Sequence, residues 1–144
     1  MIEQDTIRLL RECDAGVRMG VVSIQEVADH AKSPALRNTL TQSVTDHEAL
    51  KTELRNLLDS YGDQGKAPNP MARGMSWLKT NLMLGMNDSD QTIAREMTDG
   101  CNMGVKSLSR YLNQYAAADE PSKAIARRLI GLESDLAAKL RGYL

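Results

Sequence analysis

Two stretches of this chain, RECDAGVRMGV at residues 11–21 and REMTDGCNMGV at residues 95–105, align without a gap. Six of the eleven aligned positions are identical. In both stretches, two glycines four residues apart fall in phase with an apolar stripe at three- and four-residue spacing, which is typical of an amphipathic helix. We infer an internal repeat, in which each stretch belongs to the first helix of a helical hairpin. The two hairpins are expected to be related by a pseudo-twofold axis.

Apolar periodicity on either side of these stretches predicts four long helices and one short helix. They are helix A over residues 3–31, helix B over 34–61, a short helix over 71–86, helix C over 89–117, and helix D, which residues 119–121 open. Ser33 and Pro34 provide an N-cap followed by a proline in the first turn. The brief A–B and C–D loops indicate antiparallel hairpins. The long B–C connection predicts a crossover, so that helix C starts at the end of the bundle opposite to where helix B finishes.

The predicted fold class is therefore all-α, a four-helix bundle that forms a single domain over residues 1–144. A formal net charge of −1 argues against a nucleic-acid-binding protein, which would usually be markedly basic. No apolar run approaches the roughly 20 residues that a membrane span needs. The acidic, polar N-terminus is unlike a signal peptide, and the two cysteines, 88 positions apart, form no metal or redox motif. These features predict a cytoplasmic protein.

The four repeated glycines, Gly16, Gly20, Gly100 and Gly104, require a reason, because a glycine in the middle of a helix costs about 1 kcal/mol relative to alanine. Small residues four positions apart allow two helix backbones to approach closely. We therefore predict that helices A and C cross in contact at these glycines. The alternative is that the missing side chains leave room for a ligand.

Several motifs carry a resemblance to a known family: residues 33–37, Tyr61-Gly62, residues 69–72 and, above all, the stretch Gly100-x-Asn102-Met103-Gly104-Val105. In these the chain resembles the ferritin-like superfamily, and more closely small bacterial ferritin-like proteins of unknown function. The resemblance spans nearly the whole chain and implies two helical hairpins joined by a long crossover.

The superfamily also implies a di-iron or di-manganese carboxylate centre, built from one Glu on each of two helices and a Glu-x-x-His pair on each of the other two. This sequence departs from that pattern. Val44 precedes His47 where the pattern has Glu, helix D contains no histidine, and the middles of helices A and C present glycines. The metal ligands of the superfamily therefore do not carry over to this chain residue by residue.

His47 lies on the apolar stripe of helix B and is the candidate centre of any site. It could be the remnant of a metal site, for iron or manganese, or of a proton-transfer site, with carboxylates from neighbouring positions and from the other helices: Glu48, Glu12, Glu96 and Glu133. The alternative is a histidine at the edge of the core, hydrogen-bonded to a neighbouring polar group.

The short helix over residues 71–86 presents a second apolar side, formed by Trp77, Met83 and Leu84. A helix that only covers a bundle needs one apolar face, so a second face predicts burial against another molecule. Because twofold dimers are the commonest oligomers, we expect a homodimer that uses this side. The alternative is that Trp77 folds over the surface of its own chain.

Two functions compete. The first is a non-enzymatic interaction or structural module that needs no cofactor, forms a homodimer and could bind a protein partner. The second is an atypical ferritin-like protein that binds or oxidises iron or manganese. A small-molecule carrier would require a real cavity beside the glycines.

Overall fold

The computed structural model of the chain describes residues 2–66 and 89–144, apart from the side chain of Ile2. This part of the chain forms four α-helices and a 3-10 turn, and it contains no strand. The helices are α1 (Ile2–Ala28), α2 (Pro34–Ser60), α3 (Asp90–Gln114) and α4 (Glu120–Leu140), with the 3-10 turn at Arg141–Tyr143. The predicted all-α class and its four long helices are confirmed. The short helix predicted over residues 71–86 lies outside the described residues.

The helix starts follow the local chemistry that the sequence indicated. The Ser33 hydroxyl accepts a hydrogen bond from the amide of Leu36, and Pro34 occupies the first turn of α2. Asp119 caps α4 in the same way through the amide of Ser122. Two predicted helices are too long at their C-terminal ends, because the backbone leaves the helical conformation after Ala28 and again at Tyr115.

Side-chain bonds at the two ends of the bundle fix the direction of each helix. The Asp90 carboxylate, at the start of α3, accepts from the amides of Lys32 and Ser33 at 2.7 and 2.9 Å, in the turn between α1 and α2. At the opposite end, the Asp119 amide donates to Thr6 Oγ1 and the Tyr61 hydroxyl donates to the Asp119 carboxylate, both at 2.8 Å. Helices α1 and α4 therefore run in one direction and α2 and α3 in the other. As predicted, α3 begins at the end of the bundle opposite to where α2 finishes.

In the part of the chain that the structure describes, the apolar core consists of two clusters, one towards each end of the bundle. The first contains Ile24, Leu36, Leu40, Ile93, Leu136 and Leu140, among others. The second contains Leu10, Val17, Leu50, Leu54, Leu58 and Leu129, among others. The candidate site lies between the two clusters, at the middle of the bundle, where the buried side chains are polar.

Candidate functional site

Each of the four helices supplies one residue to the middle of the bundle, between the two apolar clusters. These residues are Gly20 on α1, His47 on α2, Gly104 on α3 and Glu133 on α4, and we call them the central layer. Two large polar side chains here face two positions without side chains. The side chains of His47 and Glu133 therefore occupy the space that the two glycines leave. The contact at the centre of the four helices is polar.

His47 is completely buried, and both of its ring nitrogens have partners. Nε2 lies 3.1 Å from Glu133 Oε1 on α4, and Nδ1 lies 2.7 Å from the backbone carbonyl oxygen of Ser43, one turn earlier on α2. Burial by itself lowers the pKa of the imidazole. The hydrogen bond and charge of Glu133, the Ser43 carbonyl and the charge of Asp46 outweigh burial, so that the pKa of His47 lies above its ordinary value of 6.5.

Cys101 on α3 extends this polar centre. Burial raises the pKa of its thiol, and so do the charge of Glu133 and a hydrogen bond with that carboxylate. The thiol of Cys101 therefore stays protonated and uncharged near Glu133. Cys13, in the second apolar cluster, is fully buried, and its pKa rises to about 12 because of burial and the nearby charges of Glu12 and Asp14.

The glycines of the central layer make room for the polar pair. A β-carbon at Gly20 would lie 3.0 Å from His47 Cδ2 and 3.5 Å from Glu133 Oε1, and one at Gly104 would lie 3.5 Å from Glu133 Oε2. Glu133 thus lies between the two glycines, with one carboxylate oxygen towards each. The atoms nearest to a β-carbon at Gly20 or Gly104 are side-chain atoms of α2 and α4.

Helices α1 and α3 do contact each other, and their predicted crossing at the glycines stays a prediction, because the four glycines differ in their surroundings. A β-carbon at Gly16 would meet only Leu129 of α4, at 3.6 Å, while one at Gly100 would meet no atom within 4 Å, because Gly100 is exposed. The space beside the two central glycines, Gly20 and Gly104, is occupied by His47 and Glu133. The spacing of the glycines in the sequence does not show whether a glycine packs against a helix backbone or leaves space for a large side chain of a neighbouring helix.

Only two of the five candidate metal ligands, His47 and Glu133, come together. Glu12 accepts a hydrogen bond from Lys66 Nζ at 2.7 Å and forms an ion pair with it. Glu48 forms an ion pair with Lys51 on the surface of α2. Glu96 is buried, with Oε1 3.5 Å from Arg95 Nε and with no hydrogen-bond partner on Oε2. Within residues 2–66 and 89–144, no three His, Cys, Asp or Glu side chains are arranged to hold a metal ion.

The sequence reasoning missed a second polar cluster, centred on Asp14 of α1. The Asp14 carboxylate is 1% exposed and accepts from Arg18, one turn later, from Arg55 Nη2 on α2 at 3.4 Å, and from the amide of Lys66 at 3.1 Å. It thereby fastens the segment after α2 onto α1. The sequence contained one signal of it, since Asp14 and Arg18 are four residues apart on a helix, the spacing of an ion pair.

A shallow cleft lies between α2 and α4, next to the central layer. Ser43, Asp46 and Lys139 are among its lining residues, and its volume is about 30 Å³. This is room for about one or two water molecules, and an organic ligand needs several hundred Å³. The cleft therefore gives no support to a small-molecule carrier.

The residues predicted to form a dimer interface, Trp77, Met83 and Leu84, lie outside the described residues. Among the helices that the structure does describe, none has an apolar stretch long enough to cross a bilayer. No protein-family model matches this chain, and no curated protein or solved structure matches it either.

Proposed function

We propose that this chain is a ferritin-like four-helix bundle that serves as a non-enzymatic structural or interaction module. The helix directions support the first part, because two antiparallel hairpins whose B–C connection joins opposite ends of the bundle are the frame expected of that superfamily. The contents of the central layer support the second part.

The observation that carries the proposal is the contact between His47 Nε2 and Glu133 Oε1. Ferritin-like carboxylate proteins gather Glu and His ligands from four helices in the middle of the bundle. Here two of the four helices contribute glycine, and the other two contribute side chains that bond to each other. The polar centre of this bundle is therefore used for cohesion between the hairpins.

A test of metal uptake addresses the competing function. The protein is incubated aerobically with ferrous iron, desalted, and analysed for iron by plasma mass spectrometry, with His47→Ala as the comparison. We expect less than about 0.1 iron per chain in both proteins. Retention of about one to two irons per chain, the content of a di-iron site, with loss in His47→Ala, would overturn the proposal.

We further propose that the module acts as a homodimer through Trp77, Met83 and Leu84. Support for this surface comes from the apolar spacing in the sequence. Light scattering after gel filtration should give about twice the chain mass of 15.9 kDa for the native protein and the chain mass for Trp77→Ser with Leu84→Ser.

Met103→Ser is the matched control for the dimer test. Met103 is 65% exposed on α3, so this variant also removes an apolar surface group, but one that is not among the three residues of the proposed interface. It should remain dimeric. A native protein of single-chain mass, or a dimeric double variant, would contradict the assignment of the interface.

A further inference from the structure

The hydrogen bond between His47 and Ser43 determines where the imidazole carries its first proton. Nδ1 lies 2.7 Å from the Ser43 carbonyl oxygen, with the Ser43 hydroxyl farther away at 3.4 Å. A carbonyl oxygen can only accept, so Nδ1 carries the hydrogen. A neutral imidazole has a single N–H, and its Nε2 would then be a bare acceptor.

That bare nitrogen would face a second acceptor. Nε2 is 3.1 Å from Glu133 Oε1, and an ionised carboxylate has no hydrogen to donate. The distance requires a proton between the two atoms, held either by an imidazolium beside a carboxylate or by a carboxylic acid beside a neutral imidazole. Both arrangements contain the same number of protons, and both make the pair neutral overall.

We propose that His47 and Glu133 form a one-proton latch between the two hairpins, which holds the middle of the bundle together when protonated and weakens when the pH rises. The pair joins α2 of the first hairpin to α4 of the second. Loss of the proton leaves two acceptors in contact inside the bundle, so the coupling between the hairpins depends on pH.

The charged and titratable neighbours of the latch favour the protonated state. From α3, the thiol of Cys101 carries no charge, because burial and the charge of Glu133 hold its pKa above the ordinary value. From α2, the carboxylate of Asp46 adds negative charge near His47. Gly20 of α1 and Gly104 of α3, which face the pair, supply no charge.

Farther out, the cleft between α2 and α4 contains Asp46, Asp135 and Lys139, two negative charges against one positive charge. Removing the latch proton would leave a net negative charge at a site where His47 is fully buried and the side chain of Glu133 is 13% exposed. An uncompensated buried charge is strongly unfavourable.

The direction of the pH effect follows from the raised pKa of His47. In the unfolded chain a histidine releases its proton near pH 6.5, whereas in the folded chain the contact with Glu133 keeps His47 protonated to a higher pH, although burial acts against it. The stabilisation is therefore complete below pH 6.5 and is lost as the pH rises through the higher folded value. In that interval the folding equilibrium constant falls by up to about tenfold per pH unit.

The test compares unfolding of the native protein and Glu133→Gln in urea at half-unit steps from pH 5.5 to about pH 9, followed by helical circular dichroism. A glutamine amide donates to a neutral Nε2, so the contact needs no extra proton in the variant. We expect the folding equilibrium constant of the native protein, divided by that of Glu133→Gln at the same pH, to fall above pH 6.5.

Glu53→Gln is the matched control, since Glu53 forms an exposed ion pair with Arg128 that lowers its pKa. Its carboxyl group titrates below the range of the experiment, so its pH profile should run parallel to that of the native protein. Parallel profiles for the native protein and Glu133→Gln would overturn the latch.

A pH titration of the ring nitrogens of His47, followed by NMR of the native protein, is a second test. It does not require that a variant folds. The proton of the pair should be half released at a pH above 6.5, and release at or below pH 6.5 would overturn the proposal. Comparison with His30→Gln assigns the two histidine signals of the chain.

Discussion

The buried carboxylate of Asp14 lies against the backbone of Gly65, at the only side on which residue 65 could carry a side chain. Gly65 also has a φ of +81°, a conformation that residues with a β-carbon rarely adopt. Contact and conformation together explain why the segment after α2 has glycine at this position.

Gly65→Ala should destabilise the protein by about 2–4 kcal/mol, because the new methyl group collides with Asp14 and lies 2.9 Å from Arg55 Nη2. Urea unfolding measures the change. Gly62→Ala is the control, since Gly62 also has a positive φ, +66°, but a β-carbon there meets nothing within 4 Å. It should cost about 1 kcal/mol. Equal losses in the two variants would show that the contact with Asp14 is unimportant.

Asp14→Ala should release the segment that follows α2. The substitution removes the acceptor of the Lys66 amide and leaves the Arg55 guanidinium without its buried partner. We expect a loss of about 2–3 kcal/mol and faster hydrogen exchange at the Lys66 amide. Asp59→Ala removes a 63% exposed partner of Arg55 at 3.9 Å and should change stability by less than about 0.5 kcal/mol. Unchanged exchange at Lys66 in Asp14→Ala would contradict the fastening role.

Two glycine substitutions separate space filling from helix propensity. Gly100→Ala should stabilise the protein by up to about 1 kcal/mol, because the site is helical, exposed and open. Gly20→Ala gains the same propensity but places a methyl group 3.0 Å from the ring of His47, which must move away from Glu133. We expect Gly20→Ala to be less stable than Gly100→Ala by about 2 kcal/mol or more in thermal or urea unfolding. Equal stabilities of the two variants would show that the central layer accommodates a methyl group at residue 20 without displacing His47.

Both thiols should be unreactive in the folded protein. Cys13 and Cys101 are buried and free, and burial raises the pKa of each, so that little thiolate exists at pH 8. A chromogenic disulfide reagent should label two thiols per chain in strong denaturant and react at least about 100-fold more slowly without it, since access requires opening of the bundle. Rapid labelling of one thiol in the native protein would place it in contact with solvent.

Much of the architecture could be predicted from residues that are close together in the sequence. Apolar spacing predicted the four long helices, Ser33 and Asp119 predicted helix starts, and the long B–C connection predicted the direction of α3. These predictions succeed because helix periodicity and capping depend on residues within a few positions of one another. His47 and Glu133 were both identified as candidates, but each was one of five residues without an assigned partner.

The tertiary structure alone decided which polar groups meet. His47 and Glu133 are 86 positions apart, and Asp14 and Lys66 are 52 apart, so their contacts depend on how the helices are rotated and aligned against one another. The apolar stripes set that rotation only approximately, within the width of a side chain. By itself the sequence determined a bundle of four helices, two of which contain a pair of glycines four residues apart. The packing decided that two of those glycines, Gly20 and Gly104, accommodate a buried His–Glu pair, because close-packed interiors fill the space beside a glycine with whichever side chain the register brings there.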